Sequence, residues 1–269
     1  MSSSPVGLLA LALYIGAEAF AIAHLRRTSP RYGRVTTALL GAGMLVHFLA
    51  LQTRARHLHS VPYRDLPDSM SLFAWMLAAT YGILLIRHRE RSTAPFLLPL
   101  VILFLAVSFL TPSRLRPANP KLTGTLFAFH VTLAILGYAA LSLSFVLALL
   151  YLVQTRQLRS RRTGLLFSRL PALDVLNGLQ RTTIGIGVIA LSIASVLGAL
   201  WARKTWGSIW DAKLVWTLLT ILLYLAILLA GPLGLRGKKT AWLSITGFSL
   251  ILFSYTIVNL VLSQEHVFR

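Results

Sequence analysis

The sequence predicts an all-α, polytopic integral membrane protein with about eight transmembrane helices. Of its 269 residues, 56% are hydrophobic and only 12% are charged, whereas charged residues make up about 25% of a typical soluble domain. The apolar residues gather in uninterrupted runs of roughly 18 or more, the length that an α-helix needs to cross the hydrocarbon core of a bilayer. Composition and run length therefore indicate the same class of protein.

Eight apolar runs with polar or charged borders are the predicted spans. Of the single predicted domain, residues 1–269, the front half (1–120) holds spans 1 to 4 and the back half (121–269) holds spans 5 to 8. The first run lacks a basic leader region and a small-residue cleavage site, so we predict a retained span and not a signal peptide. In chain order, the spans cover residues 5–23, 35–51, 69–86, 95–110, 126–153, 182–200, 214–230 and 241–262.

Most of the net charge of +19 comes from bases in the short segments between spans. Sixteen of the 26 Lys and Arg residues follow spans 1, 3, 5 and 7, and ten lie on the other side of the predicted membrane. Bases in such positions set topology and meet anionic headgroups of the lipid bilayer, so we predict no nucleic-acid partner. The sixteen-base side is predicted to be cytoplasmic. We expect a multi-pass protein of the bacterial cytoplasmic (inner) membrane with both termini extracytoplasmic.

One further element is predicted between spans 5 and 6. Within residues 168–179, leucines recur at helical spacing behind a serine and an early proline, which is typical of a short amphipathic helix. We expect this helix to lie on the cytoplasmic surface of the membrane.

A tryptophan-rich segment, residues 206–216, lies between spans 6 and 7 on the predicted external side. His130, at the start of span 5, and His266, after span 8, fall on the same side. Two imidazoles can bind the two faces of one haem iron and leave no open position for oxygen. The chain contains no cysteine, which excludes covalent attachment. The combination predicts a non-covalent haem b with the axial ligands His130 and His266.

Tryptophan also collects at any bilayer interface, because its ring is apolar and its N–H favours water. For the isolated Trp201 and Trp242 we therefore predict interfacial anchors. A single terminal histidine is, by itself, typical of a solvated residue. The cluster of three tryptophans in eleven residues has two interpretations, an interfacial belt or a haem platform.

Several short motifs resemble the cytochrome c assembly family of haem-handling membrane proteins, in particular its small eight-span CcsA/HemX-like members. In the back half the motifs are Leu-Pro-Ala-Leu-Asp (170–174), Gly-Ala-Leu-Trp-Ala (198–202), the tryptophan-rich segment with Asp-Ala-Lys (211–213), and Tyr255 and Asn259 ahead of His266. In the front half they are His-Phe-Leu-Ala-Leu (47–51), Val-Pro (61–62) and Ala-Trp (74–75).

The resemblance implies an external haem platform flanked by two axial histidines. His130 and His266 match the ligands by position and by their neighbours, and the platform residues are Trp206, Gly207, Trp210, Asp211 and Trp216. It further implies a protein that presents haem for cytochrome c maturation as a subunit of a haem lyase or export system. The partners would be a second cytochrome c assembly membrane subunit and apocytochrome c.

Two departures from the family pattern leave alternatives open. The tryptophan-rich segment is two residues shorter than usual and lacks one tryptophan, and Leu229 stands where members that carry haem across the bilayer have a histidine. Both departures favour a HemX-like accessory or regulatory protein that does not transfer haem. A small-molecule or ion transporter that uses Glu18 and His47 is the remaining alternative.

Other polar residues are weaker candidates. His47, inside span 2, is either part of a second haem site or a neutral imidazole bonded to a neighbouring helix. Glu18 could pair with a histidine, mark a proton path or bond a neighbouring helix. We find no paired carboxylates, nucleophile triad or phosphate-binding glycine loop, so we expect no independent catalytic activity beyond a haem-presenting role in a synthetase. Candidate contacts for the haem propionates, or alternatively a solvated loop, are Arg54, Arg56, His57, His59 and Arg64.

Overall fold

The computed structural model describes residues 4–27, 29–113, 122, 124–160, 164–207, 212–229 and 237–257. Within these ranges the protein forms nine helices and no strand, which confirms the all-α prediction. The helices are α1 (Pro5–Arg27), α2 (Pro30–Leu58), α3 (Leu66–His88), α4 (Ala94–Leu110), α5 (Thr125–Arg159), α6 (Leu165–Arg169), α7 (Leu173–Trp206), α8 (Ala212–Leu229) and α9 (Lys238–Ile257).

Each of the eight predicted spans coincides with a helix, apart from the few span residues that lie outside the described ranges. In the described part of the chain, five helices are long and apolar enough to cross a membrane, namely α1, α2, α3, α5 and α7, and two apolar helices, α4 and residues 214–229 of α8, are shorter. The protein is therefore a polytopic, multi-pass membrane protein.

Proline and left-handed residues mark several helix ends. A proline occupies the first turn of α2, α3 and α4, where its missing N–H would have had no intrahelical partner. His59 and Arg89 end α2 and α3 in the left-handed conformation, with φ of 50° and 55°. Such a residue turns the chain out of the helix while its N–H still bonds a carbonyl of the last turn.

The prediction of one separate helix over residues 168–179 is wrong, although residues 173–179 are helical. The short helix α6 ends at Arg169, and α7 then runs without a break from Leu173 to Trp206. Three leucines of the expected apolar face are buried, with exposed fractions of 6%, 0% and 1% for Leu170, Leu176 and Leu179, and the fourth, Leu173, is half-buried. Gly178 does not end the helix, because one interior glycine costs only about 1 kcal/mol and tertiary packing outweighs that cost.

The chain divides into two compact units. The first unit comprises Met1–Pro117 and Val153–Leu179, and the second comprises Ala118–Leu152 and Gln180–Arg269. In the first unit, α1 packs closely on α2. Gly43 lies against the ring of Tyr14, where a Cβ would come within 2.9 Å of a ring carbon.

In the second unit, α5 and α7 approach each other through glycines. A Cβ on Gly137 would lie 3.2 Å from the carbonyl oxygen of Gly187, and a Cβ on Gly187 would lie 3.2 Å from that of Gly137. Small residues permit such close contact between membrane helices. The surrounding core consists of Leu141, Ile184, Val188, Leu191, Tyr224 and Ile227.

Candidate functional site

His130 on α5 is fixed by a hydrogen bond to the backbone of α7. Its Nδ1 lies 2.7 Å from the carbonyl oxygen of Ala194. A carbonyl oxygen only accepts, so Nδ1 carries the proton and donates it. The neutral ring then keeps its lone pair on Nε2, which has no hydrogen-bond partner in the described part of the chain. Metal-ligating histidines typically show this arrangement, with the second nitrogen bonded to a carbonyl or carboxylate.

Gly198 provides the space that the imidazole of His130 occupies. A Cβ at this position would lie 2.5 Å from both Nδ1 and Cε1 of His130. No real Cβ tolerates such a contact, so any other residue would displace the ring. Ala194 and Gly198 are four residues apart and lie on one face of α7. That face both orients the imidazole and makes room for it.

Aromatic rings lie beside the same histidine. The ring centroids of Phe127 and Trp201 are 4.6 Å apart, and those of Phe127 and His130 are 6.3 Å apart. Trp201 is only 6% exposed, so the prediction that it anchors the protein at the bilayer interface is wrong. Its spacing of three from Gly198 continues the face of α7 that meets His130. That spacing was the available sequence signal, and we did not predict Phe127, Ala194 or Gly198.

The start of the tryptophan-rich segment is a helix end. Trp206 is the last residue of α7, and Gly207 follows with φ of 74°. The Gly207 N–H donates to the carbonyl of Arg203 at 3.1 Å, so glycine closes the helix in the left-handed conformation. On α8, Trp216 is 41% exposed. The side chain of Trp206, together with Trp210, Asp211 and His266, lies outside the described residues, and their roles remain predictions.

His47 on α2 is completely buried, and both of its ring nitrogens have partners. Nδ1 lies 3.4 Å from the hydroxyl of Tyr14 on α1, and Nε2 lies 3.0 Å from Oγ of Ser71 on α3. The imidazole therefore links three helices of the first unit. Of the two interpretations of His47, this geometry favours the hydrogen-bonded imidazole.

Glu18 is not a partner of His47 within the described residues. One of its carboxylate oxygens, Oε2, is buried and has no hydrogen-bond partner there. The contacts of Glu18 and His47 thus give no support to a shared ion site.

The loop between α2 and α3 is held by two aspartates. Arg54 donates from Nε and Nη2 to the two carboxylate oxygens of Asp68, at 2.9 and 3.2 Å, and Asp68 is fully buried. The carboxylate of Asp65 accepts from the Asp68 N–H at 2.9 Å and from the hydroxyl of Ser113. Tyr63, in the same loop, is 8% exposed. The loop is therefore anchored at several points.

The candidate propionate contacts in and beside this loop differ in their availability. The guanidinium of Arg54 is occupied by Asp68. Arg56, His57 and His59 are exposed, and Arg64 is half-buried. The exposed side chains, those of Arg56, His57 and His59, are therefore available to an anionic ligand.

The match to known proteins covers most of the chain. Residues 63–266 match the family model described as cytochrome C assembly protein. "Cytochrome c biogenesis protein CcsA" of Chlorella vulgaris is 30% identical over 264 residues, covering 84% of this chain and 83% of the relative. The protein of the same name from Prochlorococcus marinus (strain MIT 9301) is 30% identical, covering 74% and 72%. "Protein HemX" of Brevibacillus brevis is 31% identical over 195 residues, covering 69% and 71%. This multi-pass membrane protein therefore belongs to the cytochrome c assembly protein family.

Proposed function

We propose that this protein acts in cytochrome c biogenesis by binding a non-covalent haem b on the extracytoplasmic face and presenting it for maturation. His130 and His266 would be the axial ligands, and the platform would consist of Trp206, Gly207, Trp210, Asp211 and Trp216. The observation that carries the proposal is the geometry of His130, whose Nδ1 donates to Ala194 at 2.7 Å. This bond orients the ring and leaves the lone pair on Nε2 for iron.

The residues around His130 suit a haem face. Phe127 places an aromatic ring next to the imidazole, and the buried ring of Trp201 packs against Phe127; aromatic contacts add about 1 kcal/mol beyond buried area. Two imidazoles would fill both axial positions of the iron, so the site would hold haem without activating oxygen. The protein would supply position and orientation, while haem and the acceptor protein supply the chemistry.

We expect two protein partners. A second cytochrome c assembly membrane subunit would complete the haem lyase or export system, and apocytochrome c would accept the haem. The relatives named CcsA support this role, since their names place them in cytochrome c biogenesis.

The test is the absorption spectrum of the detergent-purified full-length chain. Bis-histidine haem gives a sharp low-spin Soret and alpha band. His130→Ala and His266→Ala should each open one axial position and shift the spectrum toward high spin, with added imidazole restoring it. His88→Ala removes a histidine at the end of α3, on the predicted cytoplasmic side, and is the control. Low-spin spectra unchanged in both single variants would contradict the ligand assignment.

A second candidate function is a HemX-like accessory role without haem transfer. It is favoured by the relative named HemX and by Leu229, which is 60% exposed on α8 and cannot bind iron. An accessory protein of this kind would purify without haem and give no Soret band. It would also not require His130 for its activity in cells.

The proposed orientation places both termini outside the bacterial cytoplasmic membrane. The absence of cysteine makes it simple to test. Ser208→Cys should react with a membrane-impermeant maleimide in intact cells, and Ser160→Cys should not. The opposite labelling pattern would reverse the orientation and remove the external haem site.

A further inference from the structure

A groove of about 420 Å³ lies where α1 ends beside the start of α2. Its lining is apolar along α1 at Phe20, Ile22 and Ala23 and polar toward the end of α1, at Arg26, Arg27 and Tyr32. We call the apolar part the wall and the polar end the mouth. The rings of Phe20 and Tyr32 are 6.0 Å apart. An apolar wall that ends in two guanidinium groups and a phenol matches an amphiphile with an anionic head.

The mouth of the groove carries positive charge without counter-charge. Arg27 donates to the hydroxyl of Tyr32 at 3.4 Å, which holds its guanidinium beside the mouth. Arg169 donates to the main-chain carbonyl of Arg26 at 3.4 Å and adds a third guanidinium nearby. Within the described ranges, none of these three arginines forms an ion pair with a carboxylate; the ion pair found there joins Arg54 and Asp68.

The start of α2 adds to this positive field. The helix begins at Pro30, and the side chain of Ser29 makes no capping hydrogen bond to its first turn. The unpaired N–H groups of a helix N-terminus carry partial positive charge and favour anions, phosphate in particular. Tyr32 stands in this first turn. The arginines and the N-terminus of α2 therefore both place positive charge at the mouth of the groove.

We propose that this groove binds an anionic glycerophospholipid, with the phosphate at Arg26, Arg27 and Tyr32 and an acyl chain along Phe20 and Ile22. Basic pockets at the ends of membrane helices are typical sites for anionic headgroups. A zwitterionic choline lipid should bind more weakly, because it brings a cation toward three guanidinium groups. Free phosphate should also bind more weakly, because it makes no contact with the apolar wall. The segment after span 1 belongs to the more basic side of the protein, so the lipid belongs to that leaflet.

The test is titration of the detergent-solubilised full-length chain with short-chain phosphatidylglycerol, followed by native mass spectrometry. The double variant Arg26→Gln/Arg27→Gln should bind the lipid about tenfold more weakly. Arg87→Gln/Arg89→Gln removes two exposed bases from the same side and should change binding less than twofold. Ala23→Trp keeps every charge, fills the groove and should also weaken binding about tenfold.

The controls separate a built site from a general attraction of charges. Short-chain phosphatidylcholine should bind at least tenfold more weakly, and inorganic phosphate at millimolar concentration should not displace phosphatidylglycerol. Equal losses in the two double variants would show a diffuse electrostatic effect and overturn the proposal. Displacement by phosphate alone, or full binding by the Ala23→Trp variant, would show that the apolar wall has no part and would also overturn it.

Discussion

His47 and His130 both lie in predicted transmembrane helices, but their ring nitrogens have different partners. His47 is bonded at both nitrogens by hydroxyl groups, from Tyr14 and Ser71, and its surroundings are complete. His130 is bonded at one nitrogen by a carbonyl, and a glycine makes room for its ring. A hydroxyl can donate or accept, so it satisfies either tautomer, whereas a carbonyl selects one tautomer.

The difference indicates two uses of an imidazole in an apolar helix. Two hydroxyl partners make His47 a link between helices, with no lone pair left for a metal. A single carbonyl partner gives His130 a fixed direction and a free lone pair, which are what a metal ligand needs. We therefore expect substitutions near His130 to change haem binding, and substitutions near His47 to change stability.

The largest expected effect is that of Gly198→Ala. The new Cβ would meet the imidazole at 2.5 Å and would force it off the Ala194 carbonyl. Loss of such an orienting contact typically costs about 10- to 100-fold in metal affinity. Haem affinity, measured by titration of the purified apoprotein, should fall by this factor.

Gly185→Ala is the matched control for Gly198→Ala. Gly185 lies in the same helix, and a Cβ there meets nothing within 4 Å. Alanine favours an α-helix over glycine by about 1 kcal/mol, so this variant should bind haem normally and be no less stable. Equal affinity losses in the two variants would contradict a specific role for Gly198.

The next effect concerns His47→Leu. This change leaves the hydroxyls of Tyr14 and Ser71 buried without their partner, and interhelical hydrogen bonds in membranes are worth about 0.6 to 1.7 kcal/mol each. The free energy of unfolding should fall by about 1 to 2 kcal/mol, measured by thermal or denaturant unfolding in detergent. The haem spectrum should stay unchanged.

A triple variant sharpens the test of His47. It combines Tyr14→Phe, His47→Leu and Ser71→Ala and so removes every polar group of the link. When all partners of a buried hydrogen bond are replaced by apolar groups, the change in stability is often small. The triple variant should therefore be more stable than His47→Leu alone. A triple variant that is less stable than the single one, or a haem spectrum altered by His47→Leu, would contradict a purely structural role.

The smallest effect separates two exposed tryptophans. Trp216 and Trp242 are 41% and 53% exposed, so burial does not distinguish them. An aromatic contact with haem is worth about 1 kcal/mol, so Trp216→Ala should weaken haem binding several-fold. Trp242→Ala should not weaken it. Equal haem content in both variants after purification would assign Trp216 to the bilayer interface.

The spans could be predicted from the sequence, but the full lengths of the helices could not. Apolar runs gave residues 126–153 and 182–200, whereas α5 covers Thr125–Arg159 and α7 covers Leu173–Trp206. Arg156 and Arg203 end the apolar runs but do not end the helices. Charged residues limit the part of a helix that contacts lipid. The helix itself continues until its last backbone groups are capped, as at Gly207.

The candidate site could be predicted in part. His130 was identified from its position and from the family resemblance, but its partner Ala194 is 64 residues away along the chain. Ala194 accepts this hydrogen bond through its backbone carbonyl oxygen, so its side chain gives no sequence signal. Trp201 was misassigned because composition gives the membrane depth of a residue but not the face of the helix that meets a neighbour. The same limit applies to Tyr14 and Ser71, whose hydroxyls are common in membrane helices.

The anchored loop between α2 and α3 has a consequence for proteolysis. By sequence, the bond after Arg64 is a trypsin site, yet its neighbours Tyr63 and Asp65 are only 8% and 7% exposed. A protease needs an extended strand of several residues, which requires local unfolding of the loop. That unfolding would have to break the contacts of Asp65 with Ser113 and with the backbone of α3. Trypsin should therefore spare this loop as long as the first unit stays folded, and a cut after Arg64 would report the loss of that fold.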